Sequence, residues 1–403
     1  MPDPLAETAS GSPVSERPFG QAGAEDRLKI AFLGDPSSIH MRRWVNYFAG
    51  RGHAVTLLMP ADLPVDPGLA PSVAVVRFTR FSARGRFPPA SFLRARRSLR
   101  RALAQVRPDI LNAHYLTANG WHAWISGFHP YVLTLWGSDV FLTPGASRDF
   151  GAYARLAIRA ADMVMVNSEA LRRGALGLGA APDRTEMVQW GVDLTRFRPG
   201  PDPTELRARL GFQGRRVVLS PRGLAPIYRQ NVVVEAFATL PQDVVLLLTA
   251  RNPFPQDLEA IRGKIDELGL SDRVVIQAGI SDAEMPDYYR LADVVVSIPV
   301  SDSTSAAILE SLASGLAVVA ADLPSVREWL HDLDPALLVP ADDPASTAAA
   351  LARALDRDPK EKALMGRRAR AVVEERADEA KCLARVEALY LRLAGRSGEP
   401  VAR

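Results

Sequence analysis

An apolar run that leads through a short polar loop into a second apolar segment most constrains the fold of this chain. The run ADVVVSIP occupies residues 292–299, and SDSTSAAILESLASG follows at 301–315. A short run rich in β-branched residues predicts a strand buried on both faces, as in a parallel sheet. The second segment is typical of a helix, and Gly315 suits the position just after a helix end. The unit is therefore a strand, a tight loop and a helix.

Two acidic residues, Asp302 and Glu310, lie in this unit with seven residues between them. Ser303, Thr304 and Ser305 stand at the start of the predicted helix, where free backbone N–H groups and the helix dipole favour a phosphate. Glu310 lies about two turns further along, where an acid needs hydrogen-bond donors such as ribose hydroxyls. The alternative is a surface acid in a loop and a glutamate on a solvated helix edge.

Composition limits the class of protein. A chain of 403 residues suits two domains of typical size, and 47% hydrophobic with 24% charged residues is typical of a soluble globular protein. The single Cys382 excludes an internal disulfide and a cysteine-rich metal site. Neither a membrane-spanning run nor a secretory signal is present in the sequence. We therefore expect a cytoplasmic protein.

Strands and helices alternate along the chain, which predicts parallel sheets. The first strand covers 28–34, a helix follows around 39–51, and the next strand covers 52–58. Ligands bind at the carboxyl ends of such strands, which places Gly34 and His40 at a cleft. The alternative for His40 is a helix-start histidine bonded to the backbone. No G-x-G-x-x-G follows the first strand, so a dinucleotide site is not predicted.

The segment from Asp302 to Glu310 resembles the E-x7-E region of the family 4 glycosyltransferases, which are retaining enzymes of GT-B fold. The resemblance covers roughly residues 28–395. It implies an α/β fold in which two Rossmann-like βαβ domains face each other across a cleft. Residues 1–26 are rich in Pro, Gly, Ala, Ser and acids and lack a periodic apolar pattern, which predicts a disordered tail. The resemblance implies an acceptor-binding domain at 27–197, a nucleotide-sugar-binding domain at 198–376, and a last segment at 377–403 whose helix packs back on the first domain.

The resemblance also implies roles on the donor side. The first acid of the family motif faces the donor sugar and the second binds the ribose, which gives these roles to Asp302 and Glu310, with Ser303, Thr304 and Ser305 beside the diphosphate. Asp302 is shorter than the glutamate that is usual at its position.

Two arginines are the candidates for the cations that hold the diphosphate. Arg222 matches the family's phosphate-binding arginine, but Ile227 stands where a lysine is usual. Arg229 is the nearest available cation and is predicted to substitute for that lysine, although its geometry differs from that of lysine. The alternative for Arg229 is a solvated loop arginine.

The acceptor is expected on the first domain. Trp136 replaces the histidine of a T-x-H-G-x-D segment, and Trp190 stands where the family's N-G-V-D segment has asparagine. The predicted acceptor-side residues lie at or near the ends of the first-half strands, and they are Gly34, His40, His114, Trp136 and Asp139.

Residues 77–107 contain ten arginines and no acid, with Phe78, Phe81, Phe87 and Phe92 among them. This composition predicts docking onto an anionic membrane surface or an anionic acceptor. The alternative is a core-packed helix with a solvated basic face. No nucleic-acid motif accompanies the arginines, so nucleic acid is not an expected partner.

These features together predict a metal-independent hexosyltransferase without a cofactor. It would move a sugar from a nucleotide sugar to a glycan or lipid-linked acceptor in cell-surface glycan or glycolipid biosynthesis, with peripheral attachment to the inner face of the membrane. The D-x-D at 332–334 does not end an apolar strand, so it does not predict a metal site. Two alternatives stay open: a sugar-nucleotide 2-epimerase and a non-catalytic binding protein of the same fold.

Overall fold

The computed structural model describes residues 22–81, 89–250 and 253–396. Two parallel sheets accompanied by helices make up this part of the chain. The strands of the first sheet are β1 (Lys29–Leu33), β2 (Ala54–Pro60), β3 (Ala74–Phe78), β4 (Ile110–His114), β5 (Tyr131–Thr134), β6 (Met163–Val166) and β7 (Thr185–Met187). Their spatial order is β3-β2-β1-β4-β5-β6-β7.

The second sheet is built in the same way from the second half of the chain. Its strands are β8 (Arg216–Ser220), β9 (Val244–Ala250), β10 (Val274–Ala278), β11 (Val294–Ser297), β12 (Val318–Ala321) and β13 (Leu338–Val339). They lie in the order β10-β9-β8-β11-β12-β13, and every pairing is parallel. The predicted fold class, with two Rossmann-like units, is confirmed.

Helices connect the strands of both sheets. In chain order they are α1 (Ile39–Gly50), α2 (Pro89–Val106), α3 (Trp121–Ser126), α4 (Ser138–Phe141), α5 (Arg148–Arg159), α6 (Glu169–Gly177), α7 (Thr204–Arg209), α8 (Gln230–Phe237), α9 (Pro255–Glu267), α10 (Met285–Leu291), α11 (Ala306–Ala313), α12 (Pro324–Leu330), α13 (Pro344–Leu355), α14 (Pro359–Arg376) and α15 (Glu379–Leu393).

The apolar runs form strands because both faces of each sheet are covered. All seven residues of β9 and all four of β11 are buried, as expected for strands between two layers of helices. Helix ends are fixed by acidic caps: the carboxylates of Asp343, Asp358 and Asp378 accept hydrogen bonds from the first N–H groups of α13, α14 and α15. Burial on both faces thus accounts for the strands β9 and β11, and the acidic caps account for the first residues of the helices α13, α14 and α15.

The last helix, α15, returns to the first sheet. Its Leu383, Val386 and Tyr390 belong to the same buried cluster as Phe48 of α1, and the rings of Phe48 and Tyr390 are stacked with centroids 5.2 Å apart. The chain crosses back where Val192 pairs with Asp378 in an isolated parallel bridge.

Gly191 makes this crossing possible. Its φ is +78°, and a Cβ at this position would lie 2.4 Å from the Cα of Glu379. A side chain larger than hydrogen would therefore separate the two chain segments at the crossing.

The structure describes residues 22–26, the last five of the predicted tail. Residues 1–21 lie outside the described residues, but Ala22 is buried, and its N–H donates to the carbonyl of Arg51 at 2.8 Å. Ala24–Asp26 forms a short 3-10 turn. The last five residues of the predicted tail therefore include a short turn and a backbone hydrogen bond to the residue that follows α1, which corrects the prediction of disorder for residues 22–26.

Glu387 ties α15 to the first domain and generates a prediction. Its buried carboxylate accepts hydrogen bonds from Arg51 Nε at 2.9 Å and from the Tyr47 hydroxyl at 3.3 Å, and it lies 2.8 Å from His53 Nε2. Glu387→Gln should lower the free energy of unfolding by about 3 kcal/mol because it leaves a partly buried guanidinium without its counter-charge. Denaturant unfolding of both proteins measures the loss.

The matched control is Arg385→Gln on the same helix. Arg385 is 57% exposed and lies 3.7 Å from Glu186, so its loss should cost less than about 0.5 kcal/mol. Equal stability losses in the two variants would contradict the assigned role of Glu387.

Candidate functional site

Arg222 and Asp302 meet because β8 and β11 are neighbours in the second sheet. Arg222 follows β8, Asp302 precedes α11, and their charged groups are 2.9 Å apart. A second nitrogen of Arg222 donates to the hydroxyl of Ser305, the residue that precedes α11, and the guanidinium lies 4.5 Å from the ring centroid of Tyr228. The arginine is thus held at the N-terminal end of α11, where helix N–H groups and the dipole favour a phosphate.

Glu310 lies further along α11 and points to two donors from different parts of the chain. The Tyr289 hydroxyl donates to Oε2 at 3.0 Å, and Arg43 of α1 donates to Oε1 at 3.4 Å. Burial raises the pKa of Glu310, while the Arg43 charge acts in the opposite direction. A carboxylate has about four lone-pair positions, so these contacts leave capacity for further hydroxyl donors.

Arg43 is a residue of this site that was not predicted from the sequence. This guanidinium also lies 3.0 Å from Asp282, which in turn lies 3.0 Å from Arg196. Burial opposes the charge on Asp282, but Arg43 and Arg196 outweigh it and lower the pKa of Asp282 to about 2. The network joins α1 of the first domain to the loop before α10 of the second. No local pattern in α1 signals this, because the partners lie more than 200 residues away along the chain.

The Ser303–Ser305 loop uses its side chains to hold the two domains together. Ser303 donates from its hydroxyl to the carbonyl of Trp136 at 2.6 Å, and Thr304 donates to the carbonyl of Asn167 at 2.5 Å. All three loop residues are buried. A phosphate at this loop would therefore meet backbone N–H groups at the start of α11 and not the hydroxyls of Ser303 and Thr304, which already donate to carbonyl groups.

A second contact between the domains lies at the start of α6. The carboxylate of Glu328, on α12, accepts hydrogen bonds from the N–H groups of Glu169 and Ala170, each at 3.0 Å. This carboxylate satisfies free N–H groups at a positive helix end.

Arg229 is placed differently from Arg222. It adopts a left-handed backbone conformation with φ +53° just before α8, and its Nε lies 2.6 Å from the carboxylate of Asp342, which is 67% exposed. Among the described residues, its ion pair is therefore with a surface acid, and contact with a diphosphate would require that pair to open.

Two predicted acceptor-side residues lie behind the cleft surface. His114 is 1% exposed, and neither ring nitrogen has a hydrogen-bond partner among the described residues; burial lowers its pKa to about 3. Gly34 packs against Met41, whose Cε would lie 1.9 Å from an added Cβ.

Asp139 is fully buried and positions a loop. Its carboxylate accepts hydrogen bonds from the N–H groups of Leu116 at 2.7 Å, Gly137 at 2.7 Å and Trp136 at 3.1 Å. Burial raises the pKa of Asp139 to about 6, against the effect of these N–H groups. The prediction that Asp139 faces the acceptor is corrected: the carboxylate joins the loops after β4 and β5, because those backbone donors need an acceptor away from water.

His40 and Trp136, by contrast, lie together at the carboxyl edge of the first sheet, with Trp190 beside them. The centroids of the two indole rings are 4.5 Å apart, and His40 lies 5.5 Å from Trp136 and 4.7 Å from Trp190. Burial, with a further contribution from Arg43, lowers the pKa of His40 to about 3. This histidine is therefore neutral at physiological pH.

The described residues offer neither a candidate metal site nor a membrane-spanning helix. Within 22–81, 89–250 and 253–396, no group of three or more His, Cys, Asp or Glu side chains is placed to hold a metal ion. No helix in those ranges is both long and apolar enough to cross a bilayer.

Two family models match the chain, one in each domain. "Glycosyl transferase 4-like" matches residues 29–168, and "Glycosyl transferases group 1" matches residues 215–357. Together these matches cover both sheets except for the last strand of the first.

The chain is also similar to two D-inositol 3-phosphate glycosyltransferases. The one from Acidothermus cellulolyticus is 28% identical over 82% of this chain and 80% of its own length. The one from Kineococcus radiotolerans is 34% identical over 53% of each chain, so that alignment spans about half of the relative.

A solved structure shares the fold. Anabaena Alr3699/HepE in complex with UDP and glucose is 21% identical, with a TM-score of 0.76 over 90% of this chain and 99% of that one. Fold and family matches together define a glycosyltransferase of GT-B fold. The chain belongs to the family 4 glycosyltransferases, enzymes that transfer a sugar from a nucleotide-sugar donor. The predicted family and the prediction that the chain is a glycosyltransferase are confirmed.

Proposed function

We propose that this enzyme transfers a hexose from a uridine-diphosphate sugar, with retention and without a metal ion. One observation carries the proposal: Arg222, Asp302 and the N-terminal end of α11 lie together, and Glu310 lies on the same helix. The UDP and glucose bound to Anabaena Alr3699/HepE support the choice of nucleotide.

Charge on the leaving diphosphate grows as the glycosidic bond breaks. Cations and N–H dipoles that are already in place stabilise that charge without reorganisation. Arg222 and the N–H groups of α11 would supply this stabilisation, Asp302 would face the sugar, and Arg229 would add charge after release from Asp342. Retention follows from the family resemblance, in which a donor phosphate oxygen takes the acceptor's proton, so we assign no protein base.

The acceptor is proposed to be a ring with several hydroxyls, in a glycan or a lipid-linked molecule. The two relatives are named D-inositol 3-phosphate glycosyltransferases, which supports a cyclic polyhydroxylated acceptor.

A donor-panel assay read by mass spectrometry tests the proposed function. We expect transfer or slow hydrolysis of UDP-hexoses, with weaker use of GDP- and ADP-sugars. Epimer formation would favour the sugar-nucleotide 2-epimerase alternative. Binding of UDP in a thermal-shift measurement without any turnover would favour the non-catalytic alternative.

Glu310→Gln should weaken UDP binding by about tenfold and leave the fold intact. A carboxylate that accepts hydroxyl hydrogen bonds contributes roughly 1.5–3 kcal/mol, and part of this is kept by the amide oxygen. Calorimetric titration with UDP measures the change. Glu374→Gln, at an exposed acid on α14 that pairs with Arg370 at 2.6 Å, is the control and should bind as the wild type does. Affinity within twofold of the wild type in Glu310→Gln would contradict the ribose contact.

Arg222→Ala should lower turnover at saturating donor by about a hundredfold and raise the donor KM less, because the diphosphate charge is greatest in the transition state. Arg229→Ala should show the same pattern more weakly. Steady-state kinetics measures both parameters. Arg262→Ala, at an exposed position on α9, is the control.

Two results would count against this assignment. Undiminished activity in Arg229→Ala would remove that residue from the site. Loss of activity in EDTA, restored by added metal, would contradict the metal-free mechanism, which predicts no effect of the chelator.

The arginine run is proposed to bind an anionic membrane surface. Arg94, Arg97, Arg100 and Arg101 are exposed on α2. The phenylalanines do not take part as predicted: Phe78 and Phe81 are buried in the core of the first domain, and Phe92 packs against it. Phe87, Arg84 and Arg86 lie outside the described residues. The interaction would therefore be electrostatic.

Vesicle co-sedimentation tests the membrane proposal. Near an anionic leaflet each basic residue adds about 1 kcal/mol, so Arg97→Ala with Arg101→Ala should weaken binding to anionic vesicles by at least tenfold. Binding should also fall at high salt and be weak to neutral vesicles. The control pair is Arg367→Ala with Arg368→Ala, two exposed arginines on α14. Equal losses of vesicle binding in both double variants, or no binding by the wild type, would contradict the membrane proposal and favour the alternative of a solvated basic helix.

A further inference from the structure

Three aromatic side chains from separate segments meet at the carboxyl edge of the first sheet. His40 is near the start of α1, Trp136 follows β5 and Trp190 follows β7. Each ring contacts the other two edge-to-face, with interplanar angles of 79° to 82°. We refer to these three residues as the aromatic trio.

The aromatic trio borders the donor loop. The carbonyl of Trp136 accepts the hydrogen bond from Ser303, and a Cβ at Gly137 would lie 3.0 Å from the side chain of Ser303. Ser303 is adjacent to Asp302, which is paired with Arg222. A group held by the trio would therefore be next to the loop to which we assign the donor sugar.

The rings of the trio are neither core residues nor fully exposed ones. All three are partly buried. Trp136 Nε1 is buried and has no hydrogen-bond partner among the described residues, and the same holds for Oε1 of Gln189, the neighbour of Trp190. Aromatic faces combined with a few unused polar groups are typical of small-molecule sites.

Among residues 22–81, 89–250 and 253–396, the cations nearest the trio are already engaged. His40 is neutral, as its lowered pKa shows. The two guanidinium groups that influence it most are already paired, Arg43 with Asp282 and Arg222 with Asp302. A phosphate on the acceptor would therefore have to compete with Asp282 for Arg43, or with the donor diphosphate for Arg222.

We propose that the aromatic trio is the acceptor subsite and that it binds an uncharged hexose ring. The apolar face of the ring would pack on the two indoles, and a hydroxyl would bond to the imidazole of His40. The inference rests on the proposed function for its catalytic context, but it specifies the acceptor and can be tested by binding alone.

Calorimetry on the full chain with saturating UDP provides the test. The probes are methyl glucoside, methyl galactoside and methyl mannoside, each beside the corresponding hexose 6-phosphate. We expect at least one methyl hexoside to bind at millimolar concentration, and its 6-phosphate to bind no more tightly.

Two substitutions at Trp190 locate the binding. Trp190→Leu should weaken the hexoside about tenfold, and Trp190→Phe, which keeps an aromatic face, about threefold or less. The matched control is Trp124→Leu on α3, where the indole packs against Phe92 in another part of the domain. UDP affinity, measured in the same variants, should not change.

Three outcomes would overturn the inference: no methyl hexoside binds, a hexose 6-phosphate binds at least tenfold more tightly than its methyl hexoside, or Trp190→Leu binds as the wild type does. Failure of the proposed function has a different signature. In that case UDP-hexoses would not be turned over while hexoside binding still depended on Trp190.

Discussion

The guanidinium of Arg43 makes the interaction on which the cleft depends. It extends from α1 of the first domain to Asp282 and Glu310 of the second, at 3.0 Å and 3.4 Å. Burial disfavours its charge, but the two carboxylates together keep the pKa of Arg43 above its ordinary value. A partly buried charge of this kind is stable only while its partners are in place. The contact between the two domains therefore depends in part on Glu310, the residue that is proposed to bind the ribose.

This connection joins the contact between the domains to Glu310, the residue proposed to bind the ribose. Glu310 accepts hydrogen bonds from Arg43 and Tyr289, so ribose hydroxyls must share its oxygens with those donors or replace one of them. Ser303 and Thr304 add two hydrogen bonds across the same boundary. A nucleotide sugar that binds more tightly when these interdomain contacts are formed would favour the arrangement that contains them. A ligand shifts a conformational equilibrium only through its different affinity for the two states.

The sequence was sufficient for features set by local pattern and insufficient for those set by long-range contact. Apolar runs predicted the strands because both faces of the sheets are covered, and the strand–loop–helix unit predicted that Asp302 and Glu310 lie near a helix start. Three things were not predictable. Arg43 has partners that are distant in sequence, Asp139 turns inward to satisfy backbone donors, and Phe81 in the arginine run packs into the core. Each depends on what the folded chain places opposite the side chain.

Trp136 and Trp190 also show that the role of a side chain can depend on residues that are distant in sequence. Taken singly in the sequence, Trp136 and Trp190 are departures from the family pattern that put residue roles in doubt. In the folded chain the two indoles contact each other, and the ring of His40 contacts both of them. Each indole therefore has an apolar neighbour that the sequence alone does not reveal. Asp139 fixes the loop that carries Trp136, and Gly191 allows the chain after Trp190 to pass α15. Asp139 and Gly191 thus position the segments that carry the two indoles, and the rings form a surface on which a flat, uncharged partner can pack.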